Sequence, residues 1–264
     1  MSNLTESFEI VRNSATILAV SSNDERCDAL AKIAKALLDN KALIKEQNNK
    51  DLTEAKANGI SDAVLHRLDF SDEKLNTVTK GLNELASLKD PIGKVREKRE
   101  LDQGFVLEKR TFPIGVIGMI FEARPDALVQ IAGLALRSGN GIILKGGKEA
   151  VNTNKILVQI IQDATSNLSF GSNWILGIQT HEDVDSLLKA DKFVDLLIPR
   201  GSNAFVRHVM ENTNIPVIGH SDGICATFVD QSADLDKAID ICVDAKINYP
   251  AACTATATIL VNDQ

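Results

Sequence analysis

The 264-residue chain has no CxxC pair, no spaced His/Cys set, no apolar run near the roughly 18 residues that span a bilayer, and no excess of base. Each absence removes a class. Cys27, Cys225, Cys242 and Cys253 fit neither a structural zinc site nor a disulfide framework, and read as thiols. With 29 Lys and Arg against 36 Asp and Glu, the formal net charge is −7, which argues against a nucleic-acid or membrane-surface binder. The opening MSNLTESFEI lacks the basic start and apolar stretch of a signal peptide, so the cytoplasm is expected. Internal repeats, low-complexity stretches and Pro-, Gly- or Ser-rich linkers are missing too, as are the GxGxxG and Walker A strings.

What is present falls into three parts. Apolar positions recur at helical spacing through the first 90 residues, at Leu30, Ile33 and Leu37 and again at Leu75, Val78, Leu82 and Leu85. Asn23 and Ser71 stand where N-caps belong, and Gly59 ends one helix ahead of a new start at Ser61. Residues 92–112 then alternate charged and apolar side chains around Asp102-Gln103-Gly104, which predicts a hairpin. Strands so polar cannot both be buried: the hairpin serves either as a solvated ribbon or as an arm that pairs with another subunit.

After Pro113 short apolar strands (IGVIGMIF, GIILK, NWILGI, VDLLIP) alternate with helices predicted over 126–137, 149–165, 183–189 and 202–211. Repeated βαβ units of this kind build a parallel sheet with helices on both faces, and ligands bind beyond the carboxyl ends of its strands. The rhythm ends around 215–221, the expected domain change, before ICATFVD, a helix over 234–246, and a loop that turns into a strand in AACTATATILV.

Four strings carry candidate chemistry. GIILK ends in Lys145 and runs into Gly146-Gly147, where glycines admit a close ligand and the lysine reaches ribose hydroxyls or phosphate; a plain tight turn explains the same residues. Arg200-Gly201-Ser202 stands between strand and helix, either as an anion site of backbone N–H groups beside a guanidinium or as a simple N-cap. Glu122, Ala123 and Arg124 end a strand and face the ligand crevice, or form an edge salt bridge. Cys253 lies among small residues in YPAACTATAT, which suits a nucleophilic thiol and equally a small buried hydrophobe. His220 and Asp222 read as a polar turn, and no Ser/His/Asp order or metal-ligand set stands out.

Taken together, FEARPDALVQIAGLALRSGNGIILKGGKEA, LLIPRGSNAFVRHV, GHSDGIC and AKINYPAACTA resemble the gamma-glutamyl phosphate reductases (glutamate-5-semialdehyde dehydrogenases), a branch of the aldehyde dehydrogenase superfamily. The GHSDGIC and YPAAC spellings are most similar to the reductase half of delta-1-pyrroline-5-carboxylate synthases. The resemblance implies an α/β, aldehyde-dehydrogenase-like doubly wound parallel sheet with N-terminal helices, a protruding hairpin and an incomplete catalytic domain. It implies NADPH-dependent reduction of gamma-glutamyl phosphate to glutamate 5-semialdehyde and phosphate, through a cysteine thioester, in proline biosynthesis. Cys253 matches the family nucleophile, with its own N–H and Arg124 as candidate oxyanion donors. Lys145 matches the lysine that contacts the adenosine ribose or its 2′-phosphate, beside Gly146 and Gly147. Arg200, Gly201 and Ser202 fall at the pyrophosphate-side turn. Residues 1–218 are expected to form the NADPH-binding domain and 219–264 the start of the catalytic domain, the complete protein being a homo-oligomer without metal.

The chain departs from that pattern at Thr254, Thr256 and Ala257, where the family resembles CNAMET, and at Ala226, where it has His. Family members also continue well past the equivalent of Gln264. A C-terminally truncated reductase with little turnover in isolation is therefore expected. The alternative is a catalytically inactive relative that acts as a nucleotide-binding or oligomerising partner.

Overall fold

The computed structural model describes residues 2–219, 223–248, 250 and 254–262. Five helices come first: α1 (Ser2–Ala19), α2 (Asn23–Asp39), α3 (Lys41–Ala57), α4 (Asp62–Leu68) and α5 (Asp72–Ser87). Their apolar stripes are buried, with Leu30, Ile33 and Leu37 on α2 facing Leu75, Val78 and Leu82 on α5 in one core. Ser71 caps α5 as expected, its Oγ accepting from the Lys74 N–H at 3.3 Å. The cap of α2 is Ser22 rather than Asn23, because the Asn23 amide oxygen is taken by Arg137 at 2.7 Å. Gly59, at φ +69°, supplies the left-handed residue that ends α3.

The hairpin forms as β1 (Val95–Asp102) paired antiparallel with β2 (Phe105–Arg110), turning through Gly104 at φ +76°. Nearly all of it is exposed. The βαβ rhythm then yields β3 (Val116–Ile120), α6 (Pro125–Arg137), β4 (Gly141–Lys145), α7 (Val151–Thr165), β5 (Ile175–Ile178), α8 (His181–Leu188), β6 (Leu196–Pro199) and α9 (Asn203–Glu211). The four strands pair in parallel in the order β5-β4-β3-β6. Alternation sends Ile117, Ile142 and Leu144 into a core shared with α2, α5, α6 and α7, and Val116, Ile120, Ile143 and Leu197 into a second core with α1, α8 and α9. The sheet is doubly wound.

Val217 makes one parallel bridge to Leu197, and the chain then leaves the sheet. Beyond it β7 (Cys225–Val229), α10 (Leu235–Ile247) and β8 (Thr256–Val261) form a separate βαβ unit with parallel strands. Phe228, Ile239, Ile247 and Leu260 remain exposed, so this unit builds little core of its own.

Two buried polar ties lock the helices. Asp51 on α3 accepts four hydrogen bonds from the start of α7: Asn152 N–H at 3.1 Å and Nδ2 at 2.8 Å, Thr153 N–H at 2.8 Å and Oγ1 at 2.5 Å. It caps α7 from outside. Near the other ends of the helices, Arg26 donates from Nη2 to both carboxylate oxygens of Asp90 at 2.9 and 2.8 Å, while Arg137 donates to Asn23 and to the Leu88 carbonyl. The two arginine side chains are only 2% and 3% exposed, and Asp90 forms an ion pair with each, at 2.8 and 3.8 Å. Removing that carboxylate leaves two buried cations, so Asp90→Ala should lower unfolding stability by about 3 kcal/mol. Chemical denaturation of wild type and variant checks this.

Candidate active site

In the order β5-β4-β3-β6, connections from β3 run outward through β4 to β5, and β6 returns on the other side of β3. Open α/β sheets take ligands beyond the carboxyl ends of the strands at such a reversal, here β3 and β6. Glu122, Ala123 and Arg124 follow β3, Lys145 closes β4, and Arg200, Gly201 and Ser202 follow β6. Backbone bonds hold these loops side by side: the Arg200 N–H donates to Ile120 at 2.7 Å and the Phe121 N–H to Lys145 at 2.9 Å. The fold thus brings the expected residues of three strings to one rim.

Lys145 is 9% exposed, and its Nζ donates to the Gly146 carbonyl at 2.7 Å. Burial pushes its pKa below the usual lysine value, with Glu149 and Asp183 acting the other way. For Asp183, burial works to raise the pKa, but N–H donors from Thr180 and Gln179 outweigh it and hold the group below the usual carboxylate range. Both glycines are closely packed. A Cβ on Gly147 would lie 2.7 Å from the Ala123 backbone nitrogen, and one on Gly146 would lie 2.1 Å from Asn154 Nδ2. Gly147 thus packs on the loop after β3, and Gly146 packs on Asn154 of α7.

At the end of β6, Ser202 caps α9, accepting from the Phe205 N–H at 3.3 Å. Arg200 is exposed and has no side-chain hydrogen bond or ion pair among the described residues. An unused guanidinium beside the first turn of a helix fits a nucleotide phosphate. Lys145 Nζ, with donors to spare, fits a ribose or phosphate oxygen. The residues present therefore suit a dinucleotide along this rim.

Between α4, α5 and the start of α6 a cavity of about 390 Å³ is lined by Ala63, His66, Arg67, Lys74, Arg124 and Asp126. Glu122 pairs with Arg67 at 3.1 Å, so the edge salt bridge considered for this string exists. Sequence reasoning assigns no site role to His66, Arg67, Lys74, Asp126 or Asp183, since four segments supply them and no local spacing joins them.

Cys253, His220 and Asp222 lie outside the described residues. Cys253 precedes β8 in sequence, and Thr256, one of the departures, opens that strand: it is buried, and its hydroxyl meets that of Thr227 at 2.9 Å. Cys242 is buried in α10, and the Cys27 thiol donates to the Ala86 carbonyl at 3.2 Å. Among the described residues no group of three His, Cys, Asp or Glu is placed to hold a metal, and no helix is long and apolar enough to cross a membrane.

These features define a doubly wound α/β protein whose cationic side chains ring the switch point of its sheet. The sequence model of the aldehyde dehydrogenase family matches residues 7–264, and the chain belongs to that family. It is 48% identical over 252 residues to the gamma-glutamyl phosphate reductase of Acetivibrio thermocellus, covering 96% of this chain and 58% of that protein. The corresponding reductase of Pelotomaculum thermopropionicum is 45% identical, with 99% and 60% covered. The crystal structure of the Thermotoga maritima gamma-glutamyl phosphate reductase superposes with a TM-score of 0.94 at 32% identity, over 98% of this chain and 63% of that one. A Listeria monocytogenes probable aldehyde dehydrogenase shares the fold, with a TM-score of 0.70 at 18% identity, over 99% of this chain and 55% of that one. The chain thus spans about three fifths of the length of the curated relatives.

The lowered pKa of Lys145 sets the sign of one pH effect. The folded state disfavours its ammonium, so the penalty is present below the folded pKa and fades as pH rises towards the ordinary value of about 10.4. Lys145→Met should therefore be most stabilised relative to wild type near neutral pH, with the difference shrinking as the solution becomes alkaline. Thermal melts of both proteins across that range measure it.

Proposed function

We propose that this chain supplies the dinucleotide-binding region and the nucleophile of an NADPH-dependent gamma-glutamyl phosphate reductase. The observation that carries this reading is the convergence of Arg124, Lys145 and Arg200-Gly201-Ser202 on one switch-point rim. The names of the relatives supply the substrate: a gamma-glutamyl phosphate reductase at 48% identity and a solved one at a TM-score of 0.94. On this reading residues 1–218 bind the nucleotide, 219–264 begin the catalytic domain, and the complete protein works in the cytoplasm as a homo-oligomer whose contacts include the hairpin 92–112.

Lys145 holds the adenosine ribose or its phosphate, Arg200 and Ser202 face the pyrophosphate, and Gly146 and Gly147 let the loop after Lys145 lie close to the nucleotide. The Cys253 thiolate attacks the acyl carbon of gamma-glutamyl phosphate, and the carbon–oxygen bond to phosphate breaks, leaving a thioester. The Cys253 N–H donates to the oxyanion that forms on the way. NADPH, when bound, supplies the hydride that reduces this thioester carbon. The resulting thiohemiacetal oxyanion re-forms its carbonyl as the carbon–sulfur bond breaks, which releases the aldehyde and returns the Cys253 thiolate.

NADPH oxidation with gamma-glutamyl phosphate tests this, run on the chain alone and on a chain completed with the corresponding remainder of a relative. The expected result is turnover in the completed protein that Cys253→Ser reduces to background. Turnover that survives Cys253→Ser contradicts the proposal, and binding of NADPH without turnover in either form supports the inactive relative instead.

A further inference from the structure

The cavity between α4, α5 and the start of α6 holds an uneven set of charges. Lys74 spends its ammonium on three carbonyls, of His66 at 2.8 Å, Asp69 at 2.6 Å and Arg67 at 3.4 Å. Arg67 and Glu122 neutralise each other at 3.1 Å. Two charged side chains on the wall remain unspent: neither Arg124 nor Asp126 has a side-chain hydrogen bond or ion pair among the described residues. Opposite in sign and two residues apart, they do not pair with each other. Asp126 lies in the first turn of α6, which favours a carboxylate, but Arg124 at the N-cap of that helix gains nothing from its dipole and makes no capping bond. Ser, Thr, Asn or Asp would serve the start of that helix better than the exposed Arg124 does.

A ligand complementary to this wall carries both an anion and a cation. An α-amino acid does so: its carboxylate takes a guanidinium bidentately and its ammonium takes a carboxylate. The volume of about 390 Å³ falls in the range of small-molecule sites. We propose that this cavity is the subsite for the α-amino-acid head of the substrate, with Arg124 binding the α-carboxylate and Asp126 the α-ammonium. The assignment rests on the glutamyl-substrate reading above and replaces the oxyanion role expected for Arg124. A simple dicarboxylate or phosphate satisfies only half of the wall.

Isothermal titration of the chain with L-glutamate, glutarate and inorganic phosphate reads the difference. L-glutamate should bind at least about tenfold more tightly than either anion, the scale of one charged hydrogen bond. Arg124→Gln should weaken L-glutamate and glutarate alike, with Arg124→Lys recovering part of the loss. Asp126→Asn should weaken L-glutamate and spare glutarate, and unchanged circular dichroism shows that the variants fold. Equal binding of all three probes, no binding of any, or indifference to both substitutions overturns the inference. In the completed reductase the same variants should raise KM for gamma-glutamyl phosphate more than they lower kcat. Cys253-dependent turnover with KM unmoved would sink this inference and leave the reductase reading standing. Selective L-glutamate binding without turnover would do the reverse.

Discussion

The pairing of β3 with β4 on one side and β6 on the other is the constraint on which the rest of the molecule depends. Parallel strands joined by right-handed crossovers can reverse direction across a sheet only by leaving two loops that diverge from a common edge. Here those loops are Phe121 to Arg124 and Arg200 to Ser202, and the bond from the Arg200 N–H to the Ile120 carbonyl fixes their separation at the root. Each cationic side chain on the rim inherits its place from that geometry. Lys145 joins them because β4 is the next strand in line, and its partial burial follows from sitting at a strand end instead of on an open loop.

The N-terminal helices make this rim rigid as well as covering the sheet. Asp51 reaches from α3 to satisfy the start of α7, and α7 begins only a short turn after Gly147. The α4–α5 region supplies one wall of the cavity beside Arg124, so the helical layer carries part of the site. At the opposite ends of the helices, Arg26, Arg137 and Asp90 hold the end of α6 against α2 and the segment after α5. A buried ion cluster of this kind adds little net stability, but it penalises any packing that separates its members.

What the sequence disclosed depended on distance along the chain. Alternation in IGVIGMIF and GIILK and the helical spacing between them marked each βαβ unit, and Ser202 as the start of α9 was readable from its neighbours alone. The shift from Asn23 to Ser22 was not, because the competing partner, Arg137, is 114 residues away. The Asp51 cap joins positions 101 and 102 residues apart, and the Arg67–Glu122 pair spans 55, so neither has a local signature. Gly146 and Gly147 show the opposite problem: a local pattern that fits both ligand approach and a tight turn, while the contacts that crowd the two residues, Asn154 and Ala123, come from α7 and from the loop after β3. The resemblance of the four strings to the reductases carried the family, which periodicity could not have done.

The central claim is that the switch-point rim is a dinucleotide site, and an NADPH fluorescence titration of the chain addresses it most directly. Saturable binding is expected, weakened by at least about tenfold in Lys145→Ala and in Arg200→Ala, as loss of a charged contact implies, and unchanged in Arg99→Ala on the solvated hairpin. Equal affinity in all four proteins, or no binding in any, would contradict it.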